Sequence, residues 1–114
     1  MHEYSLVESL LRRVEEEARR HGALAIHKLT MRVGELSGVE AELLQTAYDT
    51  FRAGSICANA ELVITRVPAS WVCPQCKVPI ARGGVLLCPT CDVPAQLDEG
   101  SDALTLDGIE MEVP

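Results

Sequence analysis

The hydrophobic positions of this chain change period several times, and each change marks an element. From residue 6 to 21, Leu6, Val7, Leu10, Leu11, Val14 and Ala18 recur at helical spacing, while Glu8, Arg12, Arg13, Glu15, Glu16, Arg19 and Arg20 cover the rest. An amphipathic helix is predicted there. Ser5-Leu6-Val7-Glu8 reads as a capping box at its start, and His21-Gly22 as its end, with glycine at the left-handed position. Ala25 to Gly34 alternates as a half-buried strand does, with Leu29, Met31 and Val33 on one face, Lys28, Thr30 and Arg32 on the other, and His27 on the inward parity. A second helical stripe, Val39, Leu43, Leu44, Ala47 and Phe51, runs over residues 39 to 53 and stops at Gly54. Ser37-Gly38-Val39-Glu40 reads as its capping box. Ala60 to Val67 is a β-branched run ended by Pro68, and residues 103 to 113 form another strand-like segment with a bulge at Asp107-Gly108.

Between those last two strands the pattern breaks down. Cys73-Pro-Gln-Cys76 and Cys88-Pro-Thr-Cys91 are two Cys-x-x-Cys pairs separated by eleven residues. Two residues between cysteines let both thiolates of a tight knuckle face one ion, and two knuckles supply four sulfurs at tetrahedral corners. Short apolar stretches flank Gly83-Gly84, which suits a hairpin returning the second knuckle to the first. A zinc ribbon is the expectation. A pair of disulfides is the competing use of four cysteines, and this spacing favours metal. Four thiolates also hold iron, so a rubredoxin-like electron carrier stays open at this point. Either ion would be closed off by sulfur, with no position left for substrate, so catalysis at the site is not expected, and a zinc ion there would be structural. Cys57 lies away from the pairs between Ile56 and Ala58, and reads as a small buried hydrophobe.

The predicted fold class is therefore α+β: two helices on a three-stranded sheet with an inserted four-cysteine zinc ribbon. Residues 1–68 and 102–114 would form one discontinuous α+β domain, and residues 69–101 the zinc-ribbon domain. At 114 residues the chain has room for one sizeable core. Its formal charge of −7 disfavours a nucleic-acid ligand, since an acidic surface repels phosphates, and zinc-bound thiolates would deepen the deficit. No apolar run approaches the length of a membrane span. No secretory leader pattern precedes the first helix, so reduced thiols and a cytoplasmic location are expected.

Histidine at position two is chemically distinctive. The α-amine, the backbone nitrogen of His2 and its Nδ1 close fused chelate rings on one metal, and a further backbone nitrogen or oxygen completes a plane. An all-nitrogen planar set suits Ni(II) or Cu(II). His21 and His27 read as a helix-end residue and a packed strand residue, outside any metal site.

Met1-His2-Glu3-Tyr4-Ser5-Leu6-Val7, Val33-Gly34-Glu35-Leu36-Ser37-Gly38-Val39, the two cysteine pairs and the terminal Leu106-Asp107-Gly108-Ile109-Glu110-Met111-Glu112 resemble, in order, the HypA/HybF family of hydrogenase nickel-incorporation proteins. The resemblance implies a non-enzymatic nickel metallochaperone. It would work with the GTPase HypB and hand Ni2+ to the [NiFe]-hydrogenase large-subunit precursor, with Zn2+ as its structural ion. It implies nickel ligation by Met1, His2 and Glu3, with zinc on Cys73, Cys76, Cys88 and Cys91. An acidic residue before the second helix is also implicated in some members; the corresponding Glu40 is longer than the aspartate found there. No histidine flanks either cysteine pair, so a cysteine-to-histidine ligand exchange is not expected. The arginines of the first helix, or the terminus itself, are the expected partner surface. The rival reading is a zinc-ribbon interaction module without nickel delivery.

Overall fold

The structure, a computed structural model, describes residues 2–81, 83–98 and 100–114, and of His2 the backbone alone. Helix α1 (His2–His21) begins a full turn earlier than its expected cap, so Ser5 is a helical residue and not an N-cap. An acidic residue, Glu3, occupies the first turn, where a carboxylate offsets the positive end of the helix. The expected end holds: Gly22 is left-handed at φ 64°, and the N–H of Ala23 donates to the Ala18 carbonyl at 2.8 Å.

Strand β1 (Ala25–Gly34) is central to the main sheet and matches its expected bounds. It pairs in parallel with β2 (Glu61–Val67), reached through the crossover helix α2 (Ala41–Phe51). On its other side it pairs antiparallel with β6 (Leu104–Glu112), giving the order β2-β1-β6. The register skips Asp107 between Thr30 and Met31, where the bulge was expected. A second irregularity, between Ile26 and Lys28, was not expected. It turns His27 to solvent, where Nε2 lies 3.2 Å from Glu112 Oε1, correcting the inward parity. Val7, Leu10, Val14 and Ala18 of α1 pack with Ile26, Leu29, Met31 and Val33 of β1 in one buried cluster.

Helix α2 departs from its expected stripe. Leu44, Ala47 and Tyr48 are buried, whereas Leu43 and Phe51 are exposed. The tyrosine can face inward because its hydroxyl donates to the Ala60 carbonyl at 2.8 Å. Phe51 instead meets Tyr4 edge-on, with ring centroids 5.4 Å apart. The expected capping box does not form either. Glu40 is itself the N-cap, extended at φ −88° and ψ 119° with no side-chain cap bond, while Ser37 Oγ accepts the Val39 N–H at 3.2 Å.

The segment between β2 and β6 forms a second small sheet of β3 (Trp71–Val72), β4 (Pro79–Ile80) and β5 (Gln96–Leu97), in the order β4-β3-β5. Among the described residues no ladder pairs the stretches directly flanking Gly83-Gly84 with each other. The β3–β4 hairpin encloses the first cysteine pair, and the Leu87–Pro94 bridge encloses the second. The knuckles themselves are the turns, which corrects the expected diglycine hairpin. The molecule is elongated, with extents of 55 × 31 × 16 Å. Among the described residues no helix is long and apolar enough to cross a membrane.

Candidate metal centre

The two Cys-x-x-Cys segments fold alike. In the first, the N–H of Lys77 donates to the Cys73 carbonyl at 3.0 Å, and the N–H of Cys73 to the Val78 carbonyl at 3.0 Å. In the second, Asp92 donates to the Cys88 carbonyl at 2.8 Å, and Cys88 to that of Val93 at 2.9 Å. Each loop turns through a left-handed residue, Lys77 at φ 64° and Asp92 at φ 54°. The turn leaves one amide facing each leading sulfur: Cys76 N lies 3.5 Å from Cys73 Sγ, and Cys91 N lies 3.4 Å from Cys88 Sγ.

Both knuckles meet at one point. The sulfurs of Cys73, Cys76, Cys88 and Cys91 all lie within 4.8 Å of one another, and Cys76 Sγ is 3.7 Å from Cys88 Sγ. A tetrahedral ion with bonds of about 2.3 Å to sulfur separates its ligands by about 3.8 Å, so the donor set fits zinc in both geometry and chemistry. The thiols share their protons unevenly. The Cys76 N–H pulls the Cys73 thiol down to about 6, while hydrogen bonding to Cys73 is the main cause that pushes Cys91 up to about 12. A cation bound by these sulfurs displaces thiol protons. Metal retention should weaken as pH falls.

At the other end of the molecule, Met1 and the side chain of His2 lie outside the described residues. The backbone of His2 opens α1, so this position is not a tail ahead of the helix. Glu3 is buried at 6 % exposure, and its Oε2 accepts the Glu40 N–H at 3.4 Å. The expected nickel residue Glu3 and the additional acidic position Glu40 are therefore neighbours, across 37 positions of sequence. That proximity joins the start of α1 to the start of α2. The Glu3 carboxylate rests on an N-terminal amide, where a negative charge is favoured.

Of the residues expected outside the site, Cys57 is fully buried, and burial pushes its thiol up from the ordinary range. His21 is exposed, 3.7 Å from Glu17, and neither it nor His27 approaches the cysteines as a ligand. Glu35 escaped notice in the sequence. Its Oε1 accepts the Ala69 N–H at 2.8 Å, on the strand of chain that leads into the cysteine module. The only signal for it was its place in the Val33-Gly34-Glu35 run.

A helix-covered mixed sheet bearing a cluster of four cysteine sulfurs defines a metal-binding protein, and an ion held by all four would be closed to substrate and would serve the fold. Comparison with known proteins makes the class specific. The family model described as "Hydrogenase/urease nickel incorporation, metallochaperone, hypA" matches residues 1–111. The hydrogenase maturation factor HypA of Shewanella baltica is 38% identical, with 98% of this chain and 97% of that protein covered. Its counterpart in Aquifex aeolicus is 36% identical, with 99% of each covered. The solution structure of the Ni metallochaperone HypA from Helicobacter pylori superposes with a TM-score of 0.69 at 27% identity, covering 98% of both chains. A second HypA solution structure gives 0.78 at 29% identity, covering 100% of this chain and 98% of the other. The chain belongs to the HypA family of nickel-incorporation metallochaperones that act in hydrogenase maturation.

Proposed function

We propose that this protein binds Ni(II) through Met1, His2 and Glu3 and delivers it to the [NiFe]-hydrogenase large-subunit precursor, in concert with the GTPase HypB. The observation that supports the reading is that the family match includes Met1, His2 and Glu3. Nickel is cargo, and no reaction is catalysed. Zn2+ is the resident ion on Cys73, Cys76, Cys88 and Cys91, and supplies structural cross-linking only. The division of labour follows the expected domains: residues 1–68 with 102–114 carry nickel, and 69–101 carry zinc. A cytoplasmic location completes the reading.

The contact of Glu3 with Glu40 refines the ligand assignment. With its carboxylate on the Glu40 amide, Glu3 offers nickel its backbone nitrogen more readily than its side chain. Amides of a first helical turn lie outside the intrahelical ladder, so giving up such a proton breaks no ladder bond. Glu40 then acts on the site through its backbone amide, with its own carboxylate kept as the additional candidate ligand. Replacing His2 by Ala, or extending the N-terminus, should abolish stoichiometric nickel binding in calorimetry while zinc content and fold persist. Native-like nickel binding by either variant would overturn the assignment.

One observation favours the rival interaction module: Val85, Leu86 and Leu87 form an exposed apolar run beside the second knuckle. Elemental analysis of untagged, nickel-loaded and desalted protein separates the readings. Zinc with nickel supports delivery, zinc alone the interaction module, and iron an electron carrier.

A further inference from the structure

We propose that Glu35 is the latch that sets the orientation of the cysteine module on the α+β layer. The module hangs on two chain segments, one leaving β2 at Val67 and one returning to β6 at Leu104. These segments are tied to each other. Asp98 N–H donates to the Ser70 carbonyl at 2.7 Å, Ser70 Oγ to Asp98 Oδ2 at 3.2 Å, and Ser70 N–H to Ser101 Oγ at 3.3 Å. They continue the β3–β5 pairing towards the layer, so the neck moves as part of the module.

What holds the neck to the layer is the turn that follows β1. Its backbone grips the returning segment: Gly34 N–H donates to the Ala103 carbonyl and Leu36 N–H to the Ser101 carbonyl, both at 2.8 Å. A side chain at Gly34 would overlap the carbonyl oxygens of Ser101 and Gly100, so the close approach requires glycine. Glu35 grips the outgoing segment. Its N–H donates to the Val67 carbonyl at 2.8 Å, and its carboxylate then reaches beyond the end of the parallel ladder to accept the Ala69 N–H, also at 2.8 Å. A charge-assisted bond of this length is stronger than its neutral counterparts. One residue thus spans sheet and neck, and its release leaves the neck held to the layer on the returning side alone, through Gly34 and Leu36, so that the module can pivot about that side. The same turn ends at Glu40, whose amide meets Glu3, so the module is fixed relative to the start of α1. The inference concerns orientation alone and stands whichever metals are bound.

The test uses the zinc-loaded full chain and compares Glu35→Gln, Glu35→Asp and Glu35→Ala by NMR. In the native chain, residual dipolar couplings from the layer and from residues 71–97 should fit one alignment tensor. Glu35→Gln keeps both reach and an acceptor oxygen, and should retain the single tensor. Glu35→Asp keeps charge but loses reach, and like Glu35→Ala should need two tensors, with Ala69 amide exchange about tenfold faster. Zinc content should be unchanged in all three. If Glu35→Ala fails to fold, the Gln and Asp pair decides the matter. A single tensor and native Ala69 protection in Glu35→Asp would overturn the proposal.

Discussion

The α+β layer and the cysteine module are stabilised by different means. Among the described residues, the layer's cluster holds fourteen buried side chains drawn from both helices, β1, β2 and the α2–β2 connection. The module's cluster holds three, Cys73, Ile80 and Cys88, and two of these are metal donors. Two-residue strands and one buried apolar side chain, with Trp71, Val93 and Ala95 half-buried around it, fall far short of the core that independent folding requires. Ligation must replace burial there. The layer, conversely, has no need of an ion to close. A chain of this size can therefore carry two folding strategies, provided that the neck between them supplies its own hydrogen bonds.

The comparison breaks most visibly under metal removal. Chelation, or Cys88→Ser, should collapse the module and leave the layer folded, because four-thiolate binding contributes on the order of 10 kcal/mol. Loss of amide dispersion confined to residues 71–97 is the expected NMR result, and global unfolding would refute the separation. A core truncation should do the reverse. Leu44 is fully buried in the layer's cluster, so Leu44→Ala should lower layer stability by about 2–5 kcal/mol in denaturant titrations. The absorption of a Co(II)-substituted cysteine site should not change. The smallest effect is alkaline. Burial raises the Cys57 thiol above its ordinary value of 9.0 and raises Tyr48 as well. Their stabilisation is complete below the ordinary thiol range and declines as pH rises past it, because the unfolded chain ionises first. Denaturant midpoints of the layer should fall between pH 8 and 10, and less steeply in Cys57→Ala.

Features set by short-range chemistry were legible beforehand. Period-two alternation located β1 to the residue, the Asp107-Gly108 dipeptide located the bulge, and cysteine spacing located the metal centre. The misreadings share a cause. Ser5 and Ser37 both stand three residues before a glutamate, yet neither caps a helix: α1 already runs from His2, and the N-cap of α2 is Glu40, whose amide meets the Glu3 carboxylate. That contact joins distant positions and has no local signature. The α2 face was ambiguous because Leu43 and Phe51 compete with Leu44 and Tyr48. The partner that lets Tyr48 face inward, the Ala60 carbonyl, lies beyond the helix. Glu35 was invisible for the same reason, since its acceptor role appears only once β1 and the neck are juxtaposed.

The position of β6 has a kinetic consequence. Central strand β1 finds its parallel partner after one helix, but its antiparallel partner emerges only after the whole cysteine segment. The layer cannot complete its sheet until the insertion has been synthesised and its ends brought together, a step whose entropic cost grows with the length of free chain. Once the thiolates have captured their ion, the neck holds Ser70 beside Asp98 and that chain is effectively short. Metal capture thereby becomes an early step of assembly, and delayed zinc supply should appear as slow docking of the final strand.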